Sequence, residues 1–83
     1  MKIFNLDKNI SVICNVKPIR NGFKHTAYIL DNGMPYGKDV SCSYLNRTWE
    51  QYEFESVLLH SVGKNFEGEQ LEKYREVIKK IDH

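Results

Sequence analysis

Three histidines and two cysteines are the side chains of this sequence that could most readily bind a metal or act as nucleophiles. His25, His60 and His83 are far apart, and neither an H-x-x-x-H nor a C-x-x-C pair occurs. A zinc site needs several converging ligands, usually with short local spacing. The five glycines are isolated from one another, so a phosphate-binding glycine loop is also missing. We therefore predict no metal site and no cofactor.

The two cysteines could still carry nucleophilic chemistry if the fold places one of them beside His25. Neighbouring strands can bring a thiol and a base together in this way. Cys14, however, falls on the apolar face of its predicted strand, where a thiol is normally inert. Small secreted disulfide scaffolds usually carry more cysteines than Cys14 and Cys42. We therefore expect two free thiols, no catalytic residues and a protein that is not an enzyme.

Basic and aromatic residues of the first half of the chain could bind nucleic acid. Lysine and arginine attract the phosphate backbone, and exposed aromatic rings can stack on unpaired bases. Against this hypothesis, the formal net charge is only +1 and no RNP-type aromatic motif occurs. The residues that this alternative function would use are Lys17, Arg20, Lys24, Tyr28 and Lys38.

The charge of the chain differs between its two halves. Residues 1–48 hold seven basic and three acidic side chains, whereas residues 49–83 hold five and eight. Such an asymmetry can give one face a positive field and another a negative one. Solvated strands beside a helix rich in Glu and Lys would produce the same count, so both interpretations stay open.

The densest cluster of aromatic residues spans residues 44–58 and contains the single tryptophan, an arginine and three further aromatic rings. Trp, Tyr and Arg dominate the hot spots of protein interfaces. The same residues could instead form a structural stack within a small core. If the cluster is exposed, the central contacts with a protein partner are Arg47, Trp49, Glu50 and Tyr52.

The length of 83 residues predicts a single domain over residues 1–83, with a narrow margin of stability. The contents of 41% hydrophobic and 28% charged residues are those of an ordinary globular protein. A chain this short uses its interior to hold itself together, so its function should reside on its surface. This favours a binding module.

Alternating residues predict three strands in sequence. The first sends Ile10, Val12, Cys14 and Val16 to one face. It ends or reaches a sheet edge at Pro18, because proline has no backbone donor. The Asn-Gly pair at residues 21–22 predicts a hairpin with a type I′ turn, and residues 23–30 form the return strand. A second turn at residues 31–33 and an irregular loop over residues 34–37 then lead to a third strand over residues 38–45.

Helical patterns fill the rest of the chain. A first helix is predicted from about Glu53 to Val62, with Gly63 as its C-cap. A second runs from Glu69 to Ile81 and carries one apolar stripe. Residues 3–6 form a short strand or a pinned arm. The expected fold is α+β, with a three- to four-stranded antiparallel β-meander and one or two helices packed on one face.

The sequence also bears on location and assembly. The N-terminal residues lack the apolar run of a signal peptide, and nothing approaches the roughly 20 apolar residues of a membrane span. We therefore expect a cytoplasmic protein without a membrane partner. A homodimer is also open, since an edge strand or the apolar stripe of residues 71–81 could pair with a second copy.

The segment over residues 44–58 contains the motif Y-x-N-R-T-W-E at residues 44–50, followed by Tyr52, Phe54 and Glu55. This motif resembles one in small proteins of phages and other mobile elements. Such proteins are often stoichiometric inhibitors or modulators of host machinery, anti-CRISPR proteins among them. The resemblance therefore implies a non-enzymatic protein that binds and modulates or inhibits a host protein. A nucleic-acid-binding module is the alternative.

Overall fold

The computed structural model describes residues 1–44 and 51–81 and, within them, every side chain except those of residues 44 and 51–53. Four strands precede two helices: β1 (Lys2–Asn5), β2 (Ile10–Ile19), β3 (Gly22–Asp31), β4 (Met34–Tyr44), α1 (Gln51–Asn65) and α2 (Gly68–Lys80). The strands form one antiparallel sheet in the order β1-β2-β3-β4. The predicted α+β meander is confirmed, with four strands and two helices.

One face of the sheet carries the core. The predicted alternation of β2 is confirmed, since Val12 and Cys14 are buried opposite Ile29 and Ala27 of β3. Helix α1 lies against β3 and β4 and closes this layer from above. The buried residues of the two helices are Phe54, Val57, Leu58, Ser61 and Val62 of α1 and Tyr74 and Ile78 of α2.

The predicted apolar stripe of α2 is also confirmed. Tyr74 and Ile78 are buried, and Leu71, Val77 and Ile81 are half-buried against the same core. The stripe therefore packs within the chain, and pairing with a second copy stays a prediction. Neither described helix is long and apolar enough to cross a membrane.

The two hairpin turns differ from the prediction in one respect. In the first, Ile19 pairs with Gly22, so Arg20 and Asn21 form the turn and Gly22 begins β3. The positive φ angles that a type I′ turn requires lie in the second turn, at Asn32 (52°) and Gly33 (82°). The first hairpin is confirmed, but its predicted type I′ geometry is wrong.

Strand β4 begins earlier than predicted and contains a bulge. Tyr36 pairs with Ile29, and Val40 pairs with Ala27, so three residues of β4 face the single residue Tyr28 of β3. The predicted loop over residues 34–37 is therefore wrong. Pro35 is tolerated because β4 is an edge strand with no neighbour on its other side.

The end of α1 holds this bulge in place. The Asn65 side-chain oxygen accepts a hydrogen bond from the Lys38 N–H at 2.7 Å. The Asn65 amide nitrogen donates to the carbonyls of Lys38 and Ser61, both at 2.9 Å. Gly37 has a φ of 70°, and a Cβ atom there would collide with the Asn65 side chain. Glycine is therefore required at position 37 by both its backbone conformation and its neighbour.

The predicted C-cap at Gly63 is wrong, because α1 continues through Gly63 to Asn65. Glycine inside a helix costs about 1 kcal/mol relative to alanine. The hydrogen bonds of Asn65 to the bulge favour the longer helix. Tertiary contacts thus outweigh the local preference to stop.

Candidate nucleic-acid interface

The sheet face opposite the helices, which we call the open face, carries the alternate residues of the same strands. The hydroxyl of Ser11 donates to the side-chain oxygen of Asn5 at 2.9 Å across this face. The residues that β2 and β3 place there are Ser11, Ile13, Asn15, Lys17, Lys24, Thr26, Tyr28 and Leu30. None of these eight residues is acidic, and neither are Ile3, Asn5, Ser41 and Ser43 on the flanking strands, whereas Asp39 is exposed in the bulge of β4.

One end of the open face is strongly basic. Lys17 and Lys24 are exposed and directly opposite each other on β2 and β3. Arg20, also exposed, lies in the turn that joins these strands. Like charges at opposite positions destabilise an antiparallel pair. Folding alone therefore gives no reason for this arrangement, whereas a polyanionic ligand would.

The middle of the open face is apolar. Ile13 is only 3% exposed although it points away from the helices, because Ile3 of β1 and Tyr28 of β3 flank it on both sides. Tyr28 is half-buried and lies four residues from Lys24 along the same strand. At about 3.3 Å per residue this separation is about 13 Å. A ring and a pair of ammonium groups thus lie within reach of one short oligonucleotide.

Four of the five predicted nucleic-acid contacts lie on the open face or at its basic end. Lys17, Lys24 and Tyr28 share the open face, and Arg20 lies at its basic end. Lys38 is exposed and lies in the bulge of β4 opposite Tyr28. The sequence could not show this convergence, because it depends on which residues of β2 and β3 are paired.

The predicted protein-binding cluster is described only in part. Arg47, Trp49 and Glu50 lie outside the described residues, and Tyr52 falls in α1 without a described side chain. Phe54, from the same segment, is buried in the core. The C-terminal part of the cluster is therefore structural, and the role of its centre in binding a protein stays a prediction.

The thiols and the buried histidine occupy the covered face of the sheet. Burial raises the pKa of Cys14 to about 12, so this side chain is a neutral thiol at physiological pH. Cys42 is half-buried and lies directly opposite His25, which is fully buried with its ring 5.2 Å from that of Phe54. Both cysteines are free, as expected. Cys42 and His25 are thus neighbours across two strands, but the imidazole is fully buried and a substrate has no access to it.

A polar tie between the two ends of the chain was not predicted. The Asp7 carboxylate accepts hydrogen bonds from the backbone N–H groups of Asn9 and Ile10, each at 2.8 Å, and from the Tyr74 hydroxyl at 2.9 Å. These bonds, that of Asn9 above all, together with the nearby Lys73 ammonium hold the pKa of Asp7 below its usual value. An aspartate that starts a turn is recognisable in sequence, but its partner 67 residues away is not.

Comparison with protein-family models, with curated proteins and with solved structures gives no match for this chain. Among the described residues, no group of three or more His, Cys, Asp or Glu side chains could hold a metal ion. The function is therefore inferred from the geometry of the chain itself. The lysine pair on the open face does not stabilise the fold, so this face is the best candidate for a binding surface.

Proposed function

We propose that this chain is a cytoplasmic, non-enzymatic module that binds single-stranded nucleic acid on the open face. The observation that carries the proposal is the exposed Lys17–Lys24 pair, which has no acidic residue opposite it or beside it on the open face. Phosphate groups would neutralise this pair and remove the repulsion between the two ammonium groups. Such contacts supply most of the affinity of sequence-independent binding.

The shape of the open face supports a single strand over a duplex. A broad four-stranded sheet does not enter a groove of B-DNA, which admits a helix or a two-stranded ribbon. Unpaired bases, in contrast, can lie flat on a sheet and stack on an aromatic ring such as that of Tyr28. The hydroxyl and amide groups of Thr26, Ser41 and Asn15 can donate hydrogen bonds to a strand that runs across the sheet.

The basic end of the open face differs in charge from helix α2. The exposed acids of α2 and its N-cap (Glu67, Glu69, Glu72 and Glu76) are matched in number by its exposed bases (Lys73, Arg75, Lys79 and Lys80), so this helix has no net charge. Residues 15–26, which carry Lys17, Arg20 and Lys24, contain no acid. A local positive field of this kind steers an approaching polyanion toward the basic end of the open face.

The test is binding to fluorescently labelled random oligonucleotides, single-stranded and duplex, followed by anisotropy over a range of salt concentrations. We expect wild-type binding to the single strand to weaken steeply as salt is added. The double variant Lys17→Glu/Lys24→Glu should bind at least about tenfold more weakly, with a salt slope lower by roughly two. Tyr28→Ala should weaken binding while leaving the salt slope unchanged, because the ring is uncharged.

The matched control is Lys79→Glu/Lys80→Glu, which makes the same change of charge at exposed positions of α2. This variant should retain most of the wild-type affinity. An equal loss in both double variants would mean that net charge alone matters, and the open face would lose its role. Wild-type protein that fails to bind single strands at low salt would exclude the proposal outright.

The resemblance to small phage and mobile-element proteins supports a second proposal, in which the chain modulates or inhibits a host protein through Arg47, Trp49, Glu50 and Tyr52. The two functions separate in one pair of experiments. If a tagged chain captures a single host protein and Trp49→Ala abolishes capture while oligonucleotide binding is absent, the second proposal holds. If oligonucleotide binding is retained in Trp49→Ala but lost in the open-face variant, the first one does.

A further inference from the structure

A second basic surface lies where α1 and α2 meet. An open groove of about 440 Å³ is lined there by Leu59, His60, Gly63, Lys64 and Arg75. His60 and Lys64 are four residues apart on α1, so they project from the same side of that helix. Arg75 comes from α2 and closes the groove from the other side. Three side chains that donate hydrogen bonds thus line the groove, and none of the described residues that line it is acidic.

Gly63 leaves room for a ligand in this groove. Its φ is not positive, so the backbone does not require glycine there, unlike Gly37. A Cβ atom added at Gly63 would meet no atom within 4 Å, so packing does not require glycine either. Residues other than glycine are better inside a helix. What glycine does provide at this position is empty space on the wall of the groove.

The ion pair of Arg75 with Glu72 does not hold the guanidinium tightly. Its Nη1 atom lies 3.9 Å from Glu72 Oε1, and both side chains are well exposed. Exposed pairs of this kind contribute little stability. The guanidinium can therefore turn from Glu72 toward an anion in the groove.

We propose that this groove binds a phosphate group among His60, Lys64 and Arg75. An arginine matches phosphate through two parallel hydrogen bonds, and a lysine adds a point charge. The half-buried Leu59 gives an apolar wall for the carbon atoms that carry the phosphate. The phosphate belongs either to a small monoester such as a mononucleotide or to the backbone of an oligonucleotide. The site is separate from the open face, so its existence does not depend on the function proposed for that face.

The experiment follows backbone amide resonances while inorganic phosphate, a 5′-mononucleotide or a short oligonucleotide is added to the whole protein. We expect saturable shifts at Gly63, Lys64 and Arg75. Arg75→Gln should lower the affinity by roughly tenfold or more, because it removes charge-assisted hydrogen bonds. Lys79→Gln, which removes one charge from the same helix outside the groove, should not.

Two substitutions at Gly63 distinguish the effect of filling the groove from the effect of adding a negative charge to it. Both Gly63→Glu and Gly63→Gln fill the groove, but only the first adds a negative charge. We expect Gly63→Glu to abolish the shifts and Gly63→Gln to weaken binding less. Retention of wild-type affinity in Gly63→Glu, with a folded amide spectrum, would overturn the proposal.

The three ligands also identify the source of the phosphate. Shifts with the mononucleotide support a monoester site, and shifts with the oligonucleotide alone support a backbone contact. No shift with any ligand at about 10 mM, corresponding to binding weaker than about −2.7 kcal/mol, overturns the proposal. The open-face variant Lys17→Glu/Lys24→Glu should keep its affinity for inorganic phosphate. Loss of phosphate binding there would place the site on the sheet instead.

Discussion

The two faces of the sheet are built from alternate residues of the same strands, yet they obey different rules. On the covered face, the buried apolar side chains form one cluster, in which the ring of Phe54 packs against the rings of His25 and Phe4. On the open face, two lysines stand opposite each other and oppose pairing of the strands that carry them. Along each strand, residues whose identity is explained by the stability of the fold therefore alternate with residues whose identity is not.

The largest expected effect is on the covered face. Phe54→Ala removes a fully buried ring and leaves a cavity beneath α1, which should lower the free energy of unfolding by about 3–5 kcal/mol. For a domain this small that loss approaches the whole stability. Urea unfolding followed by circular dichroism measures it. Tyr28→Ala, the matched loss of a ring from the open face, should cost much less, and equal losses would erase the distinction between the faces.

The bulge of β4 gives the next effect. Asn65→Ala removes the three hydrogen bonds that join α1 to Lys38 and to Ser61. Because water can reach Lys38, we expect a loss of about 1–2 kcal/mol in the free energy of unfolding. Asn65→Asp keeps the acceptor for the Lys38 N–H but places a carboxylate oxygen beside the carbonyl oxygens of Lys38 and Ser61, at the negative end of α1. It should therefore be at least as destabilising as Asn65→Ala at pH 7, and wild-type stability in Asn65→Asp would mean that the two donated bonds contribute nothing.

Low pH should lower the free energy of unfolding by protonating Asp7, whose carboxylate accepts a hydrogen bond from the Tyr74 hydroxyl. Because the pKa of Asp7 is lowered from 3.8 in the folded chain, the ionised carboxylate stabilises the fold above about pH 4. This contribution disappears as the pH falls through the folded pKa. Asp7→Asn should therefore be less stable than wild type at pH 7, with a difference that shrinks toward pH 2. A difference independent of pH, measured by urea unfolding, would contradict the assignment.

The smallest expected change in stability is the most informative about the open face. Lys17→Glu turns a repulsive cross-strand pair into an attractive one, so the free energy of unfolding should rise by about 0.2–1 kcal/mol. Oligonucleotide binding should fall in the same variant. Stability and binding that move in opposite directions would identify the lysine pair as functional. A variant that loses stability and retains binding would identify it as structural.

Local patterns predicted most of the elements and few of their contacts. Alternation identified β2 and β3, and helical spacing identified α2 to within a residue or two, because both depend on neighbours in sequence. Gly63 was misread as a helix end because the hydrogen bonds of Asn65 to β4 lie outside any local pattern.

The register of the first hairpin shows the same limit. A turn centred on residues 21–22 would pair Val16 with Ala27, whereas the observed turn pairs Val16 with His25. Either register places the same residues of β2 and β3 on the core face, so alternation cannot choose between them. The sequence named Lys17 and Lys24 as candidates, but only the register puts them opposite each other. The groove likewise needs the packing of α2 on α1 to bring Arg75 to His60 and Lys64.

The burial of Ile13 on the open face has a consequence for the kinetics of recognition. Its side chain fills the space beside Tyr28, and a ring supported in this way has few rotamers left to lose. A preorganised surface avoids the entropy of ordering its own side chains when a ligand arrives. We therefore expect oligonucleotides to associate rapidly in a single step. Differences in affinity among sequences should then come from the dissociation rate.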